Sequence, residues 1–246
     1  MRTVLLMAGL VALTPQFARA DDAAAIVEKA VRATANSDLR LNRLATVIRT
    51  DRGSLFMPSG EVPVQRIAYL SAPERVKYEA TLTVNGQRQA VVMALNGLAG
   101  WQQSAGQVQV FVPAQADAMR DGDADPWALV TLLPLRAKGT TLKTLPSKTV
   151  NGKPAVGVTV MRPNRPDAQI YFAADTGLPI KVTVKMRETG LESTRDWDLA
   201  EFRDFDGIKL PTRITVTQGG RKIEDWTVQD YRFPDRLDDK VFQKPK

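Results

Sequence analysis

The chain contains no cysteine and no histidine. The first absence removes disulfides, thiolate nucleophiles and zinc–thiolate sites, so stability has to come from a core rather than from covalent bridges. The second removes Ser-His-Asp and Cys-His catalysis and the usual zinc hydrolase centres. The G-x-S-x-G, S-x-x-K and P-loop patterns are also missing. Few enzyme mechanisms remain, and the expectation is a protein that is not an enzyme and needs no cofactor. The chain has no Ser/Gly tract, charge block or low-complexity run, which argues for one domain. It has no basic stripe with interleaved aromatics, which argues against nucleic acid as a partner.

The N-terminus is informative by what it contains. Arg2 precedes an apolar run from Val4 to Leu13, Pro15 breaks it, and Ala18-Arg19-Ala20 has a small-x-small shape. Together these read as a cleavable secretory signal over residues 1–20, cut after Ala20. The run is too short to span a bilayer, and no later stretch approaches the roughly 20 apolar residues of a transmembrane helix. The expected product is a periplasmic chain, residues 21–246, folded as a single domain without a transmembrane segment. Loss of Arg2 and Arg19 lowers the formal charge from +7 to +5. The charges are scattered, which favours solubility and a mild attraction to anionic lipid head groups.

After the signal, Asp21 and Asp22 can cap a helix in which Ile26, Val27, Ala30, Val31 and Thr34 recur at helical spacing. It should end near Ala35, before Asn36-Ser37. Period two dominates from there. In Arg75–Val84, Val76, Tyr78, Ala80, Leu82 and Val84 alternate with Arg75, Lys77, Glu79, Thr81 and Thr83, a strand with one buried and one wet face. Asn85-Gly86 is a two-residue hairpin signal because both central residues need positive φ. Asn96-Gly97, Asn151-Gly152, Asp206-Gly207 and Gly219-Gly220 punctuate further short strands. The fold class expected is mainly β (α+β), a meander of about ten or more strands that has to curl. One segment breaks the alternation. Asp125 and Pro126 read as the N-cap and first residue of a helix running from Trp127 towards Pro134, which should end or kink it. That helix is apolar nearly all round and should be buried, covering a concave sheet.

Few constellations suggest chemistry. Asp121, Asp123 and Asp125 open like a calcium loop, but Pro126 stands where glycine is needed and Leu132 where the bidentate glutamate belongs. Helix capping in a solvated loop is the competing account. Asp196/Asp198 and Asp204/Asp206 each put two carboxylates on one strand face, either as an acid/base pair or as a wet surface. Trp101, Trp197 and Trp226 suit a core; Trp127, at the head of the apolar helix, suits a core or a pocket lining equally.

Three stretches resemble the superfamily of periplasmic outer-membrane lipoprotein carriers (LolA-like, with LolB and RseB-type relatives). Tyr69–Tyr78 resembles the family's strand, proline turn and strand. Asn96–Trp101 is similar to its D-G-x-x-x-W/Y hairpin, and Tyr171–Ile180 to its D-x-x-T/G-G-x-P hairpin. The resemblance implies a single strongly curved antiparallel sheet forming an incomplete barrel, with an N-terminal helix and a short apolar helix over the concave side. It implies a carrier or binder of lipoprotein acyl chains or other lipids that supports outer-membrane lipoprotein sorting. A transient membrane-protein donor or acceptor would be its partner. The cavity lining expected on this basis is Tyr78, Leu82, Val92, Trp101, Trp127, Val130, Leu132 and Leu133, with no metal and no catalytic residue. The alternative is an envelope-stress sensor or regulator that binds a membrane protein partner. One departure stands out. The carrier proper has an arginine directly before the proline of the first motif, where it helps to hold the lid closed; here that position is Ala72.

Overall fold

The computed structural model describes residues 20–188 and 191–245. The signal-like segment therefore lies outside the described residues, except for Ala20. That residue opens α1 (Ala20–Thr34), which is followed by the short α2 (Asp38–Arg43), capped by the Ser37 hydroxyl. The α1 residues Ala23, Val27, Ala30, Val31 and Thr34 form one buried face, packed on the core side of the sheet.

Among the described residues, thirteen strands form one antiparallel sheet. The first meander comprises β1 (Thr46–Met57), β2 (Gly60–Ser71), β3 (Arg75–Val84), β4 (Gln87–Asn96), β5 (Ala99–Ser104) and β6 (Gln107–Val110). The second comprises β7 (Thr141–Val150), β8 (Lys153–Met161), β9 (Ala168–Ala173), β10 (Pro179–Glu188), β11 (Leu191–Phe205), β12 (Ile208–Gln218) and β13 (Arg221–Arg232). Pairing of β1 with β13 joins the two, so the sheet runs from β6 inward to β1, across to β13 and outward to β7. Asn85 (φ 49°) and Gly86 (φ 76°) take the positive angles that the hairpin signal required. Laid flat, thirteen strands would be roughly 55–60 Å across, with one face far too apolar to leave in water. Strand twist curls such a sheet. Register shifts at Thr50/Asp51 and Val216/Thr217 add bulges near its centre. The result is an incomplete barrel with β6 and β7 as open edges.

Those edges are consecutive in sequence, so the chain between them has to cross the mouth of the curl. It does so as α3 (Pro113–Met119), a π-helical turn (Arg120–Ala124), α4 (Asp125–Val130) and a 3₁₀ turn (Leu133–Arg136). This revises the expected helix at both ends. Asp125 does not cap it: its backbone is helical and its N–H donates to Arg120 O. The wider π turn accommodates Pro126, which in a regular helix would clash with the preceding turn. Pro134 does not end α4 either. The helix stops at Val130, Leu132 turns left-handed (φ 64°), and Pro134 is the second residue of the 3₁₀ turn. A left-handed leucine costs about 1–2 kcal/mol. Among the described residues, no helix is long and apolar enough to cross a membrane.

The C-terminus closes on the other face. A 3₁₀ turn (Asp239–Phe242) lies against the convex side of β3 and β4. Trp101 Nε1 donates to Phe242 O at 3.0 Å, and Arg75, expected to face solvent, pairs with Asp239 and lies 5.0 Å over the Phe242 ring.

At the β1–β13 seam, Gly53 leaves no room for a side chain. A Cβ there would sit 2.0 Å from Asp225 O and 2.8 Å from the Trp226 ring. Gly53→Val should therefore destabilise the fold by about 1–3 kcal/mol, seen as a lower urea midpoint at unchanged slope.

Candidate functional site

The concave face is built from residues that pair directly across successive strands. Leu70 and Val76 form one row, Ala68, Tyr78 and Met93 the next, and Val64 and Leu82 a third. In the other half, Val158, Ile170, Val182 and Trp197 form a continuous row. Trp127, Leu129, Val130 and Leu132 of the crossing segment are buried against this surface. Trp127 stacks on Tyr231 at 6.1 Å between centroids.

Six of the eight expected lining residues meet here: Tyr78, Leu82, Trp127, Val130, Leu132 and Leu133 all belong to this core. Val92 and Trp101 do not. Val92 pairs with Glu79 and Gln103, and Trp101 with Ala94 and Val110, both on the convex face. Every residue from Ala90 to Leu95 is apolar, so the pattern alone could not tell the two faces of β4 apart. Trp101 is buried, but beneath the C-terminal turn.

The interior is not uniformly apolar. Arg49 and Asp51 occupy inward positions of β1 and Arg66 an inward position of β2. Asp51 is 1 % exposed and bridges both guanidiniums: Arg49 Nε donates to Oδ2 at 3.1 Å and Arg66 Nε at 2.9 Å. Arg66 lies between Trp226 (3.7 Å from its guanidinium carbon to the ring centroid) and Tyr78 (4.6 Å), with Glu224 at 3.9 Å. Glu224 in turn accepts from Trp226 Nε1 at 2.6 Å. Arg49 lies 4.9 Å over the Trp127 ring. Burial opposes the charge on Arg49, but Asp51, Tyr231 and Tyr78 together outweigh it and hold the guanidinium above its ordinary value. Burial pushes the Tyr78 and Tyr231 hydroxyls up. Sequence periodicity did not single out these charges. The available signal was an arginine or aspartate standing in the apolar phase of a strand, as in Val62-x-Val64-x-Arg66-x-Ala68-x-Leu70.

Asp121, Asp123 and Asp125 do not converge on a common centre; each faces a different arginine. Asp125 accepts a bidentate pair from Arg162 (2.7 and 2.6 Å), Asp121 lies near Arg120 (3.3 Å) and Arg165 (3.7 Å), and Asp123 faces Arg195 at 3.7 Å. Arg165 also pairs with Glu74 beside the Ala72-Pro73 turn. The crossing segment is thus clamped by Arg162 and Arg165 from the β8–β9 loop, while Ala72 supplies nothing. Beside the clamp, an open cleft of about 340 Å³ separates Leu133 and Pro134 from Ala72, Pro73 and Pro163. The remaining acidic pairs are bound on the surface. Lys181 neutralises Asp196 (3.0 Å) and Asp198 (3.6 Å), Asp204 caps the Gly207 N–H, and Asp206 pairs with Arg43.

No family model matches the chain, and no curated protein matches it by sequence. Solved structures match its fold. A LolA superfamily protein from Nitrosomonas europaea is 14 % identical with a TM-score of 0.60, the match covering 90 % of this chain and 97 % of that one. A putative outer membrane lipoprotein-sorting protein domain from Vibrio parahaemolyticus is 11 % identical at 0.57, over 91 % and 97 %. A DUF1329 family protein from Desulfovibrio piger is 12 % identical at 0.54, over 90 % and 97 %. At these identities the likeness is one of fold.

Two outcomes follow from the interior charges. Asp51→Ala strands two buried guanidiniums and should cost about 3–5 kcal/mol of stability, measured by urea unfolding. Asp123 is raised to about 6, mainly by burial and also by Glu224, against the attraction of Arg195, Arg66 and Arg49. A raised carboxyl favours the packed state when protonated, so packing of the crossing segment should tighten as pH falls from 7 through 6 towards 4. Hydrogen exchange over 120–131, corrected for intrinsic rates, should slow accordingly. Asp123→Asn should flatten the dependence, leaving the smaller contribution of Asp121, which burial raises in the same direction.

Proposed function

We propose that this chain, which has the fold of the LolA superfamily, is a periplasmic, non-catalytic carrier or binder of lipoprotein acyl chains or other lipids. Residues 1–20 would direct its export and 21–246 would form its single working domain. One observation carries the reading. The apolar surface of a curved sheet is covered by a segment that is itself apolar, strained at Leu132 and fastened at its margin by ion pairs. Such a cover can be exchanged for another hydrocarbon without disturbing the strands.

The energetics suit a carrier. Each buried methylene contributes about 0.8 kcal/mol, so an acyl chain lying where Trp127, Leu129, Val130 and Leu132 now pack would bind well. Displacing those side chains opposes binding, and that opposition makes release feasible. The cleft beside Leu133 gives hydrocarbon a first foothold next to the Asp125–Arg162 clamp. Arg162 and Arg165 take the place of the arginine that the carrier family keeps before its proline. They hold the lid from the opposite side of the mouth.

Mass spectrometry of protein purified from a native-like envelope should find stoichiometric lipid. Absence of lipid, together with failure to bind a fluorescent acyl probe, would overturn the reading. Asp125→Asn breaks the charged clamp. If it weakens lid packing by about 1–2 kcal/mol, affinity for the probe should rise roughly 5- to 30-fold.

A further inference from the structure

The lid contributes a charge to the interior as well as hydrocarbon. Asp123, on the π-helical turn, carries its carboxylate to the charged band on the concave face, 3.7 Å from Arg195 Nη1. Arg195 is otherwise held by Gln218 Oε1, which accepts from its Nε (3.2 Å) and Nη2 (2.8 Å). The lid backbone comes close at this point: a Cβ on Gly122 would sit 2.4 Å from Arg195 Nη1. With the lid in place, the guanidiniums of Arg49, Arg66 and Arg195 face the carboxylates of Asp51, Glu224 and Asp123. When the lid leaves, Asp123 goes with it, and among the described residues the buried Arg49 and Arg66 and the partly buried Arg195 are left against two carboxylates that belong to the strands.

A second observation is independent of that count. Arg49 is 1 % exposed, and its Nη1 has no hydrogen-bond partner among the described residues. The Trp127 ring covers this guanidinium. Withdrawal of the lid removes that cover and leaves a cationic donor without an acceptor beside the surface vacated by hydrocarbon. A buried unpaired charge is costly, so a guest that filled only the apolar space would leave that cost standing. An anion placed by the guest would offset it through charge-assisted hydrogen bonds, which are about twice as strong as neutral ones.

We propose that the guest replacing the lid is an anionic amphiphile, whose single carboxylate or phosphate head group takes the place of the Asp123 carboxylate among Arg195, Arg66 and Arg49 while its chain replaces Trp127 and Leu129–Leu132. This rests on the carrier reading above and narrows its ligand class. It sets an anionic lipid or fatty acid above an uncharged acylglycerol of the same chain length.

Isothermal titration of the purified protein with three twelve-carbon probes, each below its micelle concentration, tests this. Dodecanoate and dodecyl phosphate carry the two candidate anions, and 1-monododecanoylglycerol carries none. At least one anion should bind about tenfold or more tightly than the uncharged probe, and which one does so identifies the head group. In Arg195→Gln that preference should fall to within about threefold. Equal or tighter binding of 1-monododecanoylglycerol overturns the inference but leaves the carrier reading intact. Failure of all three to bind overturns both. A preference for anions that is unchanged in Arg195→Gln places the anion elsewhere and overturns the inference, provided circular dichroism shows the variant folded.

Discussion

A single carboxylate inside the curl, that of Asp51, holds two guanidiniums that have no business in a hydrophobic core on their own. Arg66 is then free to stack between Trp226 and Tyr78, and Arg49 to lie under Trp127. These contacts join β1, β2, β3 and β13 around the point where the two meanders meet. Replacing such a group by apolar side chains often leaves stability unchanged or improves it. Its presence therefore calls for a role other than stability. Here it makes the concave face amphiphilic: hydrocarbon on either side, charge across the middle.

The same constraint governs the crossing segment. An open sheet with consecutive strands at its two edges obliges the connecting chain to pass over its mouth. A purely apolar connection would meet the charged band and leave it unpaired. The crossing segment instead alternates in function along its length: Asp121 and Asp125 hold its rim, Asp123 meets the charged band, and Trp127 to Leu132 fill the apolar part. Its irregularities are consistent with this work. The π-helical turn brings Gly122 and Asp123 down onto Arg195, and the left-handed Leu132 turns the chain from α4 into the 3₁₀ turn with Leu129, Val130 and Leu132 all buried.

The sequence showed its hairpins well because turn chemistry is local. Asn85-Gly86 and the other turn pairs need only their own backbone angles, and the strand read over Arg75–Val84 coincides with β3. β1 and α3 were not visible. In β1 the inward positions are Val47, Arg49, Asp51 and Gly53, so the hydrophobic alternation that marks a half-buried strand disappears just where the interior is most specialised. α3 is a short helix with few buried residues, Ala116 and Met119. Of the residues expected on the concave face, Tyr78, Leu82 and those of the crossing segment were legible because each lies in a segment whose pattern has one clear phase. Val92 was not, since β4 is apolar on both faces, and Trp101 was not, since β5 is short and has no clear apolar phase.

By itself the sequence determined that this is an antiparallel curl of short strands with one apolar segment crossing it, because turn propensity and periodicity are properties of neighbouring residues. Only the tertiary structure decided what the curl encloses. Ion pairing depends on distance in space: Asp51 meets Arg66 fifteen positions away, Asp125 meets Arg162 thirty-seven away, and Asp123 reaches Arg195 from another part of the chain. No local pattern records which carboxylate will come to rest against which guanidinium.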